Sequence, residues 1–315
     1  MSEEQERLEA VFRSESGRLF GIAYRMLGSV SEAEEVVQDA FVRYQGVDPD
    51  EVREPGALLT TIATRLSIDR LKSARAERES YVGAWLPEPL LVDEADVAAD
   101  AEQADSISMA FLVLLESLSP LERAVFLLRE AFDYEYSAIG EIVERTPENC
   151  RQIALRARRQ IDERRPRFEA SRDQREEIVR RFFAAAEQGD PDGLLELLAA
   201  DVVLYGDGGG RAPALGRPLH GADRVSRTMI NWMRTGLRIG ARFEPVWVNG
   251  QPGARFLNPE GELINVVALD VLDGRVQAVR SVVNPEKLGH LGPLADLRGM
   301  LAKPVSRGGG DARQT

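Results

Sequence analysis

Cysteine and histidine are almost absent from this sequence of 315 residues. Cys150 is the single cysteine, and His220 and His290 are the two histidines. A lone cysteine excludes a disulfide within the chain and a cysteine-rich zinc site, and two histidines argue against a histidine-based metal site. We therefore expect neither a metal nor a cofactor.

Long apolar runs are missing as well. No stretch of ~18 apolar residues occurs, so we expect no membrane-spanning helix and no membrane partner. The opening residues, MSEEQERLEA, are charged, which argues against a secretory signal and for a cytoplasmic protein. Apolar residues still make up 43% of the chain, enough for folded cores, and the length suits more than one domain.

The net charge of −12 is spread unevenly along the chain. Residues 76–108 carry nine acidic side chains and one basic one, which accounts for most of the excess. Residues 151–167, by contrast, carry seven arginines and two acidic residues. A local basic face matters more for phosphate contact than the global balance, so the acidic total does not exclude a nucleic-acid partner.

The residue pattern divides the chain into five segments. Helical spacing of apolar residues predicts two helical domains, and short strands with hairpin turns predict an α+β domain after them. Prolines exclude a helix from the sequence Trp85-Leu86-Pro87-Glu88-Pro89. The predicted boundaries are 5–80 and 107–168 for the helical domains, 81–106 for an acidic linker, 171–303 for the α+β domain and 304–315 for a disordered tail.

Local signals predict where several elements begin and turn. Ser31 and Glu34 form a capping-box pattern that predicts a helix start at Ser31, and Ser119-Pro120 with Glu122 predicts another. Asn249-Gly250 and Asp273-Gly274 are hairpin signals in a curved antiparallel sheet.

The strongest functional signal is a pair of short helices, Ser137–Glu144 and Pro147–Arg165, joined by a tight turn. This pattern is typical of a helix-turn-helix, and the second helix carries the polar and basic groups. Three side chains in its first turns suit base edges and three further along suit phosphates: Asn149, Arg151 and Gln152, then Arg156, Arg158 and Arg159. The alternative is a solvated basic helix in an all-α bundle.

The order of motifs resembles a known family. Leu19–Gly28 (LFGIAYRMLG) and Ala33–Phe41 (AEEVVQDAF) resemble sigma region 2, and Ala57–Arg78 resembles the part of it that melts and reads the −10 element. Leu118–Arg123 (LSPLER) through Arg156–Arg159 (RARR) resembles sigma region 4, which reads the −35 element. The chain is thus identified as a member of the extracytoplasmic-function, group IV, sigma-70 family of RNA polymerase sigma factors.

Three further segments narrow the resemblance. Trp85–Pro89 (WLPEP), Asp207–Arg211 (DGGGR) and Asn284–Leu288 (NPEKL) resemble the three signatures of the subgroup with a C-terminal SnoaL-like domain. The implied fold is multidomain: two all-α sigma domains, a region 2 bundle and a region 4 helix-turn-helix, followed by an α+β SnoaL-like cone domain. Glu286 stands where Asp is usual, Arg211 where Lys is common, and Ile153 where many members have a basic residue.

The resemblance implies binding roles. The family binds the β′ clamp helices of core RNA polymerase through region 2, here Glu34, Glu35, Gln38, Asp39 and Phe41, although Phe41 equally suits plain core packing. Promoter DNA at the −10 element would meet Thr64, Arg65, Asp69, Arg70, Lys72 and Arg75, without a distinction between base and phosphate contacts. The acidic linker either mimics nucleic acid in a basic polymerase channel or is a solvated spacer.

The C-terminal domain presents two alternatives. Several SnoaL-like relatives are cyclases or isomerases, which need an acid–base residue, and Asp207 and His220 are candidates by type. Their sequence surroundings favour a tight turn and a loop, and Trp232 and Trp247 suit a core better than a ligand platform. We therefore expect a regulatory domain that acts by tethering, with no separate anti-sigma factor required.

The expected regulatory contact joins the stiff linker segment to a receiving surface on the C-terminal domain. Its residues are Trp85, Leu86 and Pro87 on one side, and Asp207, Gly208, Gly209, Gly210, Arg211, Asn284, Pro285, Lys287 and Leu288 on the other. The predicted function is a non-enzymatic sigma factor that directs promoter-specific initiation under control of this domain. The alternatives are a helix-turn-helix repressor with a ligand-binding domain and a SnoaL-type cyclase or isomerase fused to a DNA-binding module.

Overall fold

The computed structural model describes residues 3–48, 52–92, 106–162 and 172–302. The chain forms two compact units: Met1–Glu169 with Trp247–Gln251, and Ala170–Val246 with Pro252–Thr315. The predicted disordered tail, half of the acidic linker and the end of the predicted second helix of the helix-turn-helix lie outside the described residues. No helix among the described parts of the chain is long and apolar enough to cross a membrane.

The first unit begins with three helices, α1 (Glu3–Leu27), α2 (Val30–Gln45) and α3 (Pro55–Glu79). The predicted start of α2 at Ser31 is wrong by two residues. Ser29 is the N-cap, in extended geometry, and its hydroxyl accepts a hydrogen bond from the Glu32 amide at 3.2 Å. The Ser31 hydroxyl instead donates to the Glu88 carboxylate at 3.2 Å, so a distant residue takes the place of the predicted local cap.

After the short strand β1 (Leu91–Val92), residues 106–162 form four more helices: α4 (Met109–Leu115), α5 (Pro120–Glu130), α6 (Tyr136–Val143) and α7 (Pro147–Asp162). The predicted cap of α5 is confirmed, because Ser119 and Glu122 form a reciprocal capping box. Between α6 and α7 the chain turns through Glu144, which has a φ of +57°. The Thr146 hydroxyl then accepts from the Asn149 amide at 3.2 Å and begins α7.

One apolar core joins the two helical segments of the first unit. Leu19, Met26 and Val36 from the first three helices belong to the same buried cluster as Phe126 and Ile153 from the later ones. Arg123, only 2% exposed, adds a polar tie between them, because its guanidinium donates to the Met26 carbonyl at 2.7 Å.

The second unit opens with helices α8 (Arg172–Gln188) and α9 (Pro191–Leu197). Strand β2 (Leu198–Asp207), the short β3 (Leu219–His220) and helix α10 (Ala222–Arg238) come next. Strands β4 (Arg242–Val248), β5 (Gln251–Leu257), β6 (Leu263–Leu272) and β7 (Arg275–Val282) follow, and α11 (Leu297–Ala302) is the last described helix. Apolar side chains of α8 to α10 pack with those of the strands into a second buried cluster.

The sheet is mixed, which corrects the predicted antiparallel sheet. Strands β5, β6 and β7 pair antiparallel in sequence, as expected for hairpins. Strand β2 pairs in parallel with β7, with Leu204 opposite Val279. The parallel pairing is possible because α10 and strands β4 to β6 return the chain to the start of β7, and no local signal records it.

Both predicted hairpin turns are confirmed. Asn249 and Gly250 have φ values of +54° and +69°, and Asp273 and Gly274 have +49° and +71°. Two consecutive residues with positive φ match the tight turn that suits twisted antiparallel strands. The tip that contains Asn249 belongs to the first unit, where Val248 and Trp247 pair antiparallel with β1.

Candidate functional site

Helix α7 separates a buried face from an exposed one. Cys150, Ile153, Ala154, Ala157 and Ile161 are buried against α5 and α6. The predicted DNA-reading side chains are all exposed: Asn149, Arg151, Gln152, Arg156, Arg158 and Arg159. The Ile153 side chain is 4% exposed and packs in the core.

Contacts of α7 hold two of its arginines in place. The Arg158 guanidinium pairs with the Glu130 carboxylate at 2.6 Å, and this hydrogen bond raises the pKa of Arg158. The Arg151 guanidinium lies 5.3 Å from the centre of the Tyr136 ring. Leu155, which the sequence analysis did not single out, is 51% exposed on this surface. An exposed leucine among basic residues is suited to contact a thymine methyl group.

The exposed face of α2 carries four of the five predicted polymerase contacts: Glu34, Glu35, Gln38 and Asp39. The fifth, Phe41, is 6% exposed and packs against Phe12, with ring centres 4.6 Å apart, as the alternative of core packing expects. Phe12 is itself 46% exposed and Val42 is 67% exposed. The apolar groups at the surface near this acidic face are therefore Phe12 and Val42.

Arg70 connects α3 to the acidic face of α2. Its guanidinium pairs with the Glu35 carboxylate at 2.9 Å and with the Asp39 carboxylate at 2.7 Å. It also donates to the Glu32 carbonyl at 3.0 Å. One residue predicted to contact the −10 element is thus bound to two residues predicted to contact polymerase.

The remaining predicted −10 residues differ in accessibility. Thr64 is fully buried, and within the described residues its hydroxyl has no hydrogen-bond partner. Asp69 and Lys72 are exposed and paired with each other at 2.8 Å. The side chain of Arg75 lies outside what the structure describes.

Arg65 of α3 binds the C-terminal end of α6, the first helix of the helix-turn-helix. Its guanidinium donates to the carbonyls of Ile142 and Glu141 at 2.9 and 3.1 Å, and pairs with Glu144 at 3.0 Å. A cation at a helix C-terminus is favourable because the last carbonyls carry partial negative charge.

The segment Trp85–Glu88 packs on the corner between α1 and α2. The Arg78 guanidinium lies 3.9 Å from the Trp85 ring centre. Gly28 has a φ of +68°, and a Cβ there would lie 2.7 Å from Trp85. The corner therefore requires glycine at position 28 for both its backbone geometry and its closeness to the indole.

Glu88 supplies an N-terminal cap to α2 and was missed by sequence reasoning. Glu88 is 7% exposed, and its carboxylate accepts hydrogen bonds from the amides of Val30 and Ser31 at 2.8 and 3.2 Å. The Ser29 hydroxyl donates to it at 2.7 Å. A negative charge at a helix N-terminus is stabilised by the helix dipole. No spacing rule could link it to a helix 58 residues earlier in the chain.

Asn249, at the hairpin tip, completes a buried polar network of the first unit. Its side-chain amide donates to the Tyr24 hydroxyl at 2.6 Å and to the Ile107 carbonyl at 2.8 Å, and its carbonyl accepts from the Leu90 amide at 3.0 Å. Asn249 is fully buried. Burial raises the pKa of the Tyr24 hydroxyl, which therefore stays protonated and donates to the Glu88 carbonyl at 2.7 Å.

In the second unit, the second and third signature segments come together. Asp207 ends β2, is fully buried, and pairs with the Lys287 ammonium group at 2.7 Å. The amides of Val283 and Asn284 both donate to the Asp207 carbonyl, at 2.8 and 3.0 Å. We call Asp207–Arg211 with Asn284–Leu288 the signature cluster.

The two departures from the subgroup pattern are partners in this cluster. Arg211 and Glu286 form an exposed ion pair at 2.9 Å. Both residues retain the charge of the residue they replace, so the pair is compatible with the usual pattern.

Among the described residues, Asp207 and His220 do not form an acid–base site. Asp207 is bound to Lys287, and His220 is an exposed residue of β3. The second unit contains an apolar pocket, lined in part by Met229, Trp232 and Phe256, and neither Asp207 nor His220 lines it. Trp232 is half-buried at this pocket, and Trp247 is buried at the hairpin tip.

A helical unit with an exposed basic recognition helix, joined to an α+β domain, defines a multidomain DNA-binding transcription protein. Three family models match the chain: sigma-70 region 2 over residues 11–77, sigma-70 region 4 over 108–161 and a SnoaL-like domain over 179–280. The chain belongs to the extracytoplasmic-function RNA polymerase sigma factors.

Two curated relatives match nearly the full length. The chain is 34% identical over 300 residues to the extracytoplasmic-function RNA polymerase sigma factor SigJ of Mycobacterium tuberculosis, covering 92% of this chain and 95% of that protein. It is 33% identical over 288 residues to the probable sigma factor SigI of the same species, covering 90% and 96%. The crystal structure of SigJ matches with a TM-score of 0.71 and 31% identity, covering 90% of this chain and 99% of that one. The predicted family, fold class and sigma-factor function are confirmed.

Proposed function

We propose that α7 reads the −35 element through Asn149, Arg151 and Gln152 at base edges and through Arg156, Arg158 and Arg159 at phosphates. The observation that carries this proposal is that all six side chains are exposed on one helix whose opposite face is buried. Arginine and glutamine match the acceptor and donor patterns of guanine and adenine in the major groove. Leu155 is included among the proposed DNA contacts, where it would meet a thymine methyl group.

We propose further that the acidic face of α2 binds the β′ clamp helices of core RNA polymerase. Glu34, Glu35, Gln38 and Asp39 supply charge and polarity, and the exposed Phe12 and Val42 supply apolar contact area in place of Phe41. Acidic residues favour rapid association with a basic partner surface, and apolar anchors supply most of the affinity.

For the −10 element, Asp69, Lys72, Arg65 and Arg70 remain the proposed contacts, with Arg75 proposed from sequence alone. Arg65 and Arg70 are engaged in ion pairs within the first unit. Both must exchange these partners for promoter DNA, so their DNA contacts form at the cost of contacts present in the free chain.

The SnoaL-like domain is proposed to regulate the sigma domains without catalysis. A tethered domain acts at high effective concentration, so a weak contact is well populated and no separate anti-sigma factor is required. We propose that Trp85, Leu86 and Pro87 form a regulatory contact with the signature cluster. Regulation without catalysis is supported by the apolar pocket, because no titratable residue lines it among the residues described.

Transcription in vitro with purified core RNA polymerase tests these proposals. The full chain is expected to direct initiation from the promoter upstream of its own gene, and Arg151→Ala or Gln152→Ala is expected to lower it at least tenfold. Arg180→Ala, which removes an exposed arginine of α8, is the matched control and should leave transcription unchanged. Equal transcription by all variants would contradict the proposed −35 contacts.

Regulation is best tested by point substitution in the full chain. Deletion of the second unit also removes Trp247–Gln251 from the first unit, so its effect on transcription would mix regulation with unfolding. Lys287→Met breaks the pair with Asp207 and is expected to change transcription. Arg242→Met disrupts an exposed pair outside the signature cluster and should leave transcription unchanged. Unchanged transcription by Lys287→Met would argue against the signature cluster as a regulatory element.

A further inference from the structure

The second unit contains an apolar pocket of about 190 Å³. Helix α10, strands β5 and β6 and helix α11 supply its apolar walls, through Met229, Met233, Phe256, Val267 and Leu297. Apolar cavities of similar size in other proteins take up small apolar molecules. The pocket is therefore suited to a small apolar ligand.

Three polar side chains line the same pocket: Thr235, Asn265 and Ser281. Asn265 of β6 and Ser281 of β7 are hydrogen-bonded to each other, with 3.2 Å between the amide nitrogen and the hydroxyl oxygen. Ser281 lies opposite Val267 in the strand register, and Asn265 is two residues from Val267, so the three share one face of the sheet. An amide and a hydroxyl provide both a donor and an acceptor. Their place in an apolar wall fits one hydrogen-bonding group on the ligand.

Charge and size limit the class of ligand. The part of the pocket that the structure describes is lined by no acidic or basic side chain, so a charged ligand would lose its hydration without a counter-charge. A cavity of about 150 Å³ holds benzene. The slightly larger volume here fits one ring with one or two small substituents.

We propose that this pocket binds a neutral, single-ring molecule with one hydroxyl or carbonyl group, which hydrogen-bonds to Asn265 and Ser281. The pocket also adjoins the signature cluster: Gly206 and Val283 line it, and the residues that follow them are Asp207 and Asn284. The ligand is thus an effector of the sigma factor, an assignment that rests on the proposed regulatory function of this domain.

Calorimetric titration of the full chain with p-cresol, and separately with toluene, tests the site. We expect p-cresol to bind at one site, with a dissociation constant on the order of 0.1 mM for a ligand of about eight non-hydrogen atoms. Toluene, which has the same ring without the hydroxyl group, is expected to bind more weakly, because it leaves the Asn265 amide without a ligand partner.

Three variants place the binding in the pocket. Asn265→Leu should weaken p-cresol binding by about tenfold, as expected for one hydrogen bond, and abolish the preference over toluene. Val267→Phe fills the pocket and should abolish binding of both compounds. Asn231→Leu makes the same chemical change as the first variant on the exposed face of α10 and should leave both affinities unchanged.

Absence of saturable p-cresol binding would overturn the proposal, as would a preference over toluene that survives in a folded Asn265→Leu protein. Transcription assays with and without p-cresol separate this inference from the proposed function. Binding that alters transcription supports both. Binding that leaves transcription unchanged supports the site and contradicts its role as an effector site.

Discussion

Replacement of Asn249 by alanine is expected to destabilise the first unit by more than most single substitutions do. The asparagine is fully buried and makes three side-chain hydrogen bonds, to Tyr24, Ile107 and Leu90, and its φ is +54°. Alanine removes all three bonds and keeps a Cβ in left-handed backbone geometry.

The magnitude follows from these two contributions. Each lost hydrogen bond costs about 1 kcal/mol, and left-handed geometry costs a residue other than glycine or asparagine about 1 kcal/mol. We therefore expect Asn249→Ala to lower the free energy of unfolding of the first unit by about 3–4 kcal/mol. Asn249→Gly loses the same bonds without the steric strain and should be about 1 kcal/mol less destabilising than alanine.

Urea denaturation followed by circular dichroism measures this difference, with the transition of the first unit fitted separately because two units need not unfold together. Asn231→Ala, at an exposed position of α10, is the control and should stay within about 0.5 kcal/mol of the unmodified chain. If Asn249→Ala also stayed within about 0.5 kcal/mol, the buried network would not stabilise the unit and the reasoning would be refuted.

Three further outcomes are expected. Glu88→Gln keeps the shape of the side chain but removes its charge, and it should lower the free energy of unfolding by about 2 kcal/mol because charged partners strengthen hydrogen bonds. Amide hydrogen exchange at Val30 and Ser31 should become faster. Unchanged exchange would exclude Glu88 as the cap. Ile153→Arg should destabilise α7 by about 3 kcal/mol in thermal melts, whereas Gln152→Arg on the exposed face should be neutral. Burial raises the pKa of the Cys150 thiol, so the thiol stays protonated at neutral pH. It should react with a thiol reagent about a hundredfold more slowly than free cysteine does. Reaction at the rate of free cysteine would place Cys150 at the surface.

Features set by residues close together in the sequence could be predicted from it. Ser119 with Glu122 and Asn249 with Gly250 were predicted correctly because a cap and a tight turn are set by residues a few positions apart. The exposed side chains of α7 were predicted because helical periodicity places them opposite its apolar face.

The failures have a different physical origin. The burial of Thr64 was not predicted, and that of Phe41 was only one of two alternatives, because a residue's exposure depends on what packs beside the helix. Glu88 as a cap, the partners of Arg65 and the parallel pairing of β2 with β7 all join residues far apart in sequence. No local pattern specifies such pairs, so they require the folded structure.

The single core shared by the two helical segments limits how the free chain can meet a promoter. The −35 and −10 elements lie about 25 base pairs apart, or about 85 Å along B-form DNA. Arg65, proposed to contact the −10 element, is hydrogen-bonded at 2.9 Å to the helix that precedes α7, which is proposed to read the −35 element. Both elements cannot be bound while that contact persists. If α7 and Arg65 bind the two elements as proposed, that contact must break before the chain can bind a promoter. A partner that binds the open form, as core polymerase is proposed to do, would raise the fraction of chains that can bind.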